Sequence, residues 1–196
     1  MNKSLIIVLV VIGIIGLAGL SLMGQYNGLV SMDEQVKQAW SQVENVYQRR
    51  LDLIPNLVET VKGYAAHEKE TFIAVTEARS KAAGSISPNT INDPQKFAAF
   101  QESQGALSSA LSRLLVVVEK YPDLKANENF LSLQAQLEGT ENRITVERGR
   151  FNETAQMFNT RIRQFPTSII AKIFGFTSKE YFKAEEGAKT APTVMF

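Results

Sequence analysis

An uncharged N-terminal stretch constrains this chain more than any other feature. No charged side chain occurs from Ser4 to Gly24, whereas the rest of the sequence is polar and charge-rich. The apolar run from Leu5 to Met23, about 19 residues, would be about 28 Å long as a helix, close to the ~30 Å hydrocarbon core of a bilayer. The sequence therefore predicts a single transmembrane anchor over residues 1–25, which carries a domain of roughly 170 residues.

A cleaved signal peptide is the alternative for such a stretch. Its apolar part is shorter, and a small-x-small cleavage site follows that part. Gly16 and Ala18 resemble such a site but lie inside the apolar run, so we expect the anchor to be retained. Lys3 precedes the anchor, and the first charges after it are Asp33 and Glu34. The positive-inside rule then predicts a cytoplasmic N-terminus and a large domain outside the cytoplasmic membrane.

Composition excludes several kinds of ligand. The chain has 21 basic and 20 acidic residues. These are interspersed, so no electrostatic field gathers nucleic acid or an acidic substrate. Cysteine is absent, which removes disulfides and thiolate chemistry. We predict no nucleic-acid partner, no small-molecule substrate and no cofactor.

Apolar residues at spacings of three and four predict an all-α fold. We expect the transmembrane helix to be followed by an elongated antiparallel four-helix bundle of long, coiled-coil-like helices over residues 26–166, and by an amphipathic segment and tail over 167–196. Pro55 predicts a kink or tight turn at residues 52–55, after which a second helix runs to about Gly84. Further turn and cap signals are Ser85 to Asp93, Pro94, Pro122, Asn127 or Asn129, and Pro166.

The fourth helix carries a large apolar residue at every seventh position. Such a repeat predicts a seam about 55 Å long. The intervening positions are only partly apolar, which favours a bundle helix over a free two-stranded coiled coil. The candidate seam consists of Phe130, Leu137, Ile144, Phe151, Phe158 and Phe165.

Some polar side chains fall on the apolar faces of their predicted helices. A buried carboxylate needs a partner, or its pKa rises and it becomes neutral. We interpret these residues mainly as a paired polar layer that fixes helix register, and alternatively as a partner or ion site between helices. The candidate layer consists of Glu68, Arg50, Gln104, Glu141 and Arg143.

Glycines in and after the anchor share one helix face. Gly13, Gly16, Gly24 and Gly28 lie within about 120° at 100° per residue, and small residues let membrane helices approach closely. Ordinary glycine enrichment in membrane helices is the alternative explanation. Together with the seam, this face favours a homo-oligomer.

No catalytic set is evident. His67 is the single histidine, and Thr71 stands where a zinc-binding His-Glu-x-x-His helix needs its second imidazole. We therefore predict no metal site and no catalytic residue. An enzyme using the carboxylates of Glu68 and Glu141 is the remaining alternative, but an all-helical bundle of this composition offers no evident cleft.

The C-terminal region carries two apolar features. The patch of Ile169, Ile170, Ile173 and Phe174 could lie on a membrane surface, but Lys172 alone attracts anionic lipid weakly, so we expect packing on a neighbouring helix or subunit. The ending from Val194 to Phe196 has the alternating pattern that receptors capture by strand addition.

Three segments resemble the LemA family. They are YNGLVSMDEQVKQAWSQVENVYQRRLDLIPNLVETVKGYAAHE (Tyr26 to Glu68), YPDLKANENFLSLQAQLEGTENRITVERGRFNETAQMFNTRIRQFP (Tyr121 to Pro166) and FGFTSKEYF near the end. The resemblance implies a single-anchor bacterial envelope protein with a helical bundle, and it brings no settled activity. Some members carry a lipobox cysteine before the Tyr-Asn pair. Here Met23, Gly24 and Gln25 occupy that place, so lipidation is not expected.

These observations leave three functional hypotheses. The first is a self-associating scaffold anchored in the bacterial cytoplasmic membrane that organises envelope proteins or the membrane itself. The second is an adaptor or regulator of a membrane protease or quality-control complex. The third, a hydrolase or metalloenzyme, would require activity that depends on Glu68 or His67. The missing catalytic set favours the first two.

Overall fold

The computed structural model describes residues 3–183, which are helical apart from short connections and the last segment. This confirms the predicted all-α fold with a long apolar N-terminal helix and packed helices after it. The helices are α1 (Lys3–Lys62), α2 (Lys69–Gly84), α3 (Pro94–Val118), α4 (Pro122–Lys125), α5 (Glu128–Arg163) and α6 (Thr167–Phe174), with a 3₁₀ turn at Thr90–Asn92.

The bundle is built from two helix pairs, α1 with α5 and α2 with α3. Its buried apolar residues form two clusters. The proximal cluster, nearer the N-terminal end of α1, includes Leu29 of α1 and Phe158 of α5. The distal cluster includes Leu51 and Phe130 of the same two helices. Early α1 thus meets late α5, so the two helices run antiparallel.

Helix α1 continues through Pro55, so the tight turn predicted at residues 52–55 is wrong. Proline cannot donate the backbone hydrogen bond that the carbonyl of Leu51 would receive in a regular helix. The guanidinium of Arg79 supplies the missing donor, with its Nε 2.8 Å from that carbonyl oxygen. The chain reverses later, between the end of α1 at Lys62 and the start of α2 at Lys69.

The predicted helix starts agree with the cap geometry. The carboxylate of Asp93 accepts hydrogen bonds from the backbone N–H groups of Gln95 and Lys96, with Pro94 in the first turn. Of the two asparagines considered for α5, Asn127 is the cap, because its side chain accepts from the N–H of Phe130.

An aromatic group centred on Trp40 holds the proximal cluster. Its indole N–H donates to the carbonyl of Ser87, 3.2 Å away. Its ring lies 5.2 Å from Phe100 and 5.5 Å from Phe151. The ring of Phe182 stacks on that of Trp40, with 6.2 Å between the ring centres. Phe182 belongs to the non-helical segment 175–183, here called the strap. The last described residues are therefore part of the core.

Candidate functional site

A buried arginine lies between the two core clusters. The Nη2 of Arg50 donates to Oε1 of Gln104 at 2.6 Å, and its Nη1 donates to Ser108 at 3.2 Å and to Oε2 of Glu141 at 2.9 Å. The amide of Gln104 in turn donates to the carbonyl of Ala82. This polar layer therefore joins α1, α3 and α5 and reaches the end of α2.

The two charged side chains of the layer differ in burial. Only 3 % of the Arg50 side chain is exposed, whereas 54 % of Glu141 is, so the cation is buried and its counter-ion lies at the surface. The ring of Tyr47 covers the guanidinium at 5.0 Å. Burial raises the pKa of Tyr47 despite the nearby Arg148 and Arg50, so its hydroxyl stays neutral at physiological pH. The layer therefore links three helices through side-chain hydrogen bonds around a buried cation.

Two members of the predicted layer lie elsewhere. Glu68 is half-buried in the turn before α2, where the hydroxyl of Tyr121 lies 3.5 Å from its carboxylate. It was placed wrongly because the helix ends at Lys62 and does not continue through residue 68. Arg143 is exposed, because it is one residue out of phase with the buried Ile144. About 18 Å of helix separates Arg50 from Lys62, so Glu68 and Glu141 do not form a carboxylate pair.

The candidate seam residues of α5 are buried or half-buried, with one exception. Four members are buried, and Leu137 packs half-buried against the distal cluster. Phe165 is 82 % exposed, contrary to the prediction, because α5 ends at Arg163 and the chain turns away. The buried members are Phe130, Ile144, Phe151 and Phe158.

A second buried cation, which sequence reasoning missed, joins four segments of the chain. Lys179 of the strap places its Nζ 2.9 Å from Oδ1 of Asp33 on α1 and 2.7 Å from Oδ1 of Asn92 in the 3₁₀ turn. The same ammonium lies 5.4 Å from the ring centre of Phe158 on α5. The one available signal was Asp33, a charge that interrupts the apolar stripe of α1.

The electrostatics of Asp33 follow from these contacts. Burial alone would raise the pKa of this carboxyl. Hydrogen bonds and charge from Lys179, and from Lys37 at 3.0 Å, outweigh that effect and hold the pKa of Asp33 below its ordinary value. The carboxyl of Asp33 is therefore ionised at neutral pH.

Two asparagines of α5, one heptad apart, hold the strap. Asn159 accepts from the N–H of Lys179 and donates to its carbonyl, both at 2.8 Å. Asn152 does the same with Phe182, at 2.8 and 2.9 Å. Each side-chain amide thus pairs with both backbone groups of one strap residue, as a neighbouring strand would. The guanidinium of Arg148 covers the ring of Phe182 at 4.6 Å.

The N-terminal part of α1 projects beyond the bundle. Of the described residues, α1 is the one helix long and apolar enough to cross a membrane, and none of its apolar window is buried. A Cβ added at Gly13, Gly16, Gly24 or Gly28 would meet no atom within 4 Å, so the glycine face is uncovered. His67 is exposed. The ending from Val194 to Phe196 lies outside the described residues.

These features define a class: a helical bundle built on one long helix whose N-terminal part can span a membrane. The model of the LemA family matches residues 39–196. The chain belongs to the LemA family.

The relatives support this assignment at modest identity. The magnetosome protein MamQ of Magnetospirillum gryphiswaldense is 28 % identical over 187 residues, covering 87 % of this chain and 69 % of the relative. MamQ 2 of Paramagnetospirillum magneticum matches to the same extent. The protein LemA of Metamycoplasma hominis is 25 % identical over 172 residues, covering 88 % and 75 %.

Proposed function

We propose that this protein is a non-enzymatic, homo-oligomeric scaffold of the bacterial envelope. In this proposal, residues 1–25 anchor it in the cytoplasmic membrane. Residues 26–166 form a helical bundle on the outer face, and residues 167–196 form its C-terminal segment and tail. The membrane and further copies of the chain are its main partners, with other envelope proteins attached to the array.

The continuity of α1 carries the proposal. One helix of 60 residues includes both the apolar N-terminal part and the central stripe of the bundle. No flexible linker separates them, so any association between anchors would set the bundles at a defined spacing and orientation. A scaffold needs such coupling, whereas a tethered enzyme does not.

The uncovered glycine face supports self-association through the anchor. Gly13 and Gly16 would let two such helices approach closely enough for backbone contact, which drives packing in lipid. Ala18 lies on the opposite side of the helix from Gly13 and Gly16 at 100° per residue, so Ala18→Leu serves as a matched control.

The test is the mass of the full-length protein in detergent, measured by light scattering with the detergent subtracted. We expect a defined oligomer that becomes smaller in the variant Gly13→Leu/Gly16→Leu, keeps its size in Ala18→Leu, and dissociates in a chain starting at Gln25. A monomer in every form would overturn the scaffold.

An adaptor for a membrane protease or quality-control complex is the second candidate. A groove at the distal end of the bundle favours it, because the exposed Ile73 there could receive a client segment. Its lining residues are Lys62, Lys69, Phe72, Ile73, Thr76 and Glu77. A monomeric mass together with a stable hetero-complex, lost on Ile73→Glu, would support this role.

A further inference from the structure

Helix α6 lies at the level where the anchor leaves the bundle. At its start, the hydroxyl of Thr167 donates to Oε1 of Gln25 at 2.8 Å. At its end, the ring of Phe174 lies 4.6 Å from that of Tyr26. Both ends of an eight-residue helix therefore touch the same turn of α1, so α6 crosses α1 rather than following it. That turn comes directly after Met23, the last residue of the apolar run.

Only one side of α6 is used by the bundle. Ile170 and Ala171 are buried in the proximal cluster. Ile173 is 70 % exposed, and Ile169 and Phe174 are more than half exposed. With Phe165 just before the helix, these side chains form an apolar surface that no other described residue covers.

The charges around this surface have one sign. From Thr154 to Ser178 the sequence contains no acidic residue. The cations Arg161, Arg163 and Lys172 are exposed there. A basic, apolar surface of this kind is attracted both to the acyl boundary and to anionic headgroups.

We propose that α6 and Phe165 form a membrane-seating surface that lies in the lipid headgroup region of the bilayer that the anchor spans. A second copy fits this surface less well, because a two-fold contact would bring the three cations of each subunit together. The described chain also leads away from it, since the strap runs along α5 towards Arg148. This inference rests on the membrane insertion included in the proposed function, and not on self-association.

Single-cysteine labelling tests the inference, because the natural chain has no cysteine. The full-length variants Ile173→Cys, Val116→Cys and Leu20→Cys carry an environment-sensitive fluorophore at exposed positions on α6, α3 and the anchor. They are reconstituted in vesicles of equal parts phosphatidylcholine and phosphatidylglycerol. Lipids with a nitroxide near the headgroup then quench from the membrane, and iodide quenches from the water.

We expect the label at position 173 to be quenched several-fold more by the nitroxide lipid than the label at 116, and to be less sensitive to iodide. Equal lipid quenching at 173 and 116 would overturn the inference. A label at 173 that is protected from both quenchers would also overturn it, because protein would then cover the surface. Loss of lipid quenching at position 20 would instead contradict insertion of the anchor, and so the proposed function as well.

Discussion

At the scale of single residues, two buried cations hold together parts of the chain that are far apart in sequence. Arg50 joins α1 to α3 and α5, and Lys179 joins the strap to α1 and to the 3₁₀ turn. A buried charge is costly without partners, so each cation depends on the full set of acceptors around it. Their loss should therefore affect stability more than the loss of surface charges.

The polar layer requires the fork of an arginine. The change Arg50→Lys keeps the charge but cannot serve Gln104, Ser108 and Glu141 together, because an ammonium has no planar fork. We expect the free energy of unfolding to fall by about 1–3 kcal/mol, measured by denaturation in detergent. The adjacent, exposed Arg49→Lys is the control and should change stability little. Equal effects of the two changes would contradict the role of the layer.

The pair of Asp33 and Lys179 predicts a free energy of unfolding that decreases at acidic pH. The folded-state pKa of Asp33 is lowered, so its stabilising contribution is present above the unfolded value near pH 4 and is lost as pH falls through the folded value. We expect the melting temperature of the natural chain to be higher than that of the variant Asp33→Asn at pH 7. This difference in melting temperature should vanish in acid. Lys179→Met should reduce this difference at pH 7, with Lys37 still beside Asp33, while the exposed control Lys81→Met should leave it unchanged. Melting followed by circular dichroism across pH checks this.

The sequence allowed only part of these sites to be predicted. Arg50, Gln104 and Glu141 were found because a polar residue on an apolar face needs a partner. Glu68 was misplaced because its angular position depended on a helix boundary that was wrong. Asp33 interrupts the apolar stripe of α1, but its partner Lys179 lies too far along the chain for spacing rules to connect the two.

At the scale of elements, Arg79 allows α1 to pass Pro55. We expect Arg79→Met to cost about 1–2 kcal/mol of stability, because the carbonyl of the buried Leu51 then has no donor. In a Pro55→Ala background, the backbone N–H of residue 55 donates to that carbonyl, so Arg79→Met should lower the free energy of unfolding much less. Denaturation of the four chains measures the coupling. Arg113→Met, which removes an exposed arginine of α3, should cost the same in both backgrounds.

Asn159 and Asn152 should each hold a different residue of the strap. Asn159→Ala removes the acceptor of the Lys179 amide, and Asn152→Ala removes that of the Phe182 amide. We expect hydrogen exchange to accelerate at least tenfold at the matching amide in each variant, and more at that amide than at the other. The exposed Asn129→Ala should change neither. Unchanged exchange at both amides would show that Phe182 packing alone holds the strap.

Most elements could be predicted from local chemistry, and the failures have a common cause. Asp93, Asn127 and the apolar spacings act within a few residues, so they marked their helices correctly. Pro55 predicts a kink or tight turn, and the tight turn is wrong because the donor that compensates for the proline comes from another helix. The strap was missed because its backbone pairs with asparagine side chains, a pattern without periodicity.

At the scale of the whole molecule, the bundle should fold without its anchor. None of the apolar window of α1 is buried, whereas Gln25 and Tyr26 already contact α6 and the strap. A chain starting at Gln25 should therefore keep its melting temperature within a few degrees, whereas one starting at Gly28 should melt lower. Circular dichroism of both chains checks this. A large loss in the longer chain would mean that the anchor supports the bundle.

Because α1 is unbroken, the number of residues between the anchor and the bundle sets the angle of the bundle about the helix axis. Each residue added between the anchor and the bundle would rotate the bundle by about 100° about the axis of α1 and move it about 1.5 Å away from the anchor. One alanine inserted between Gly24 and Gln25 would therefore rotate α6 about the axis of α1, while seven would bring it back nearly into phase, about 10 Å further from the anchor. In the proposed scaffold, the length of this helix would therefore set which side of the bundle faces the membrane and the neighbouring copies.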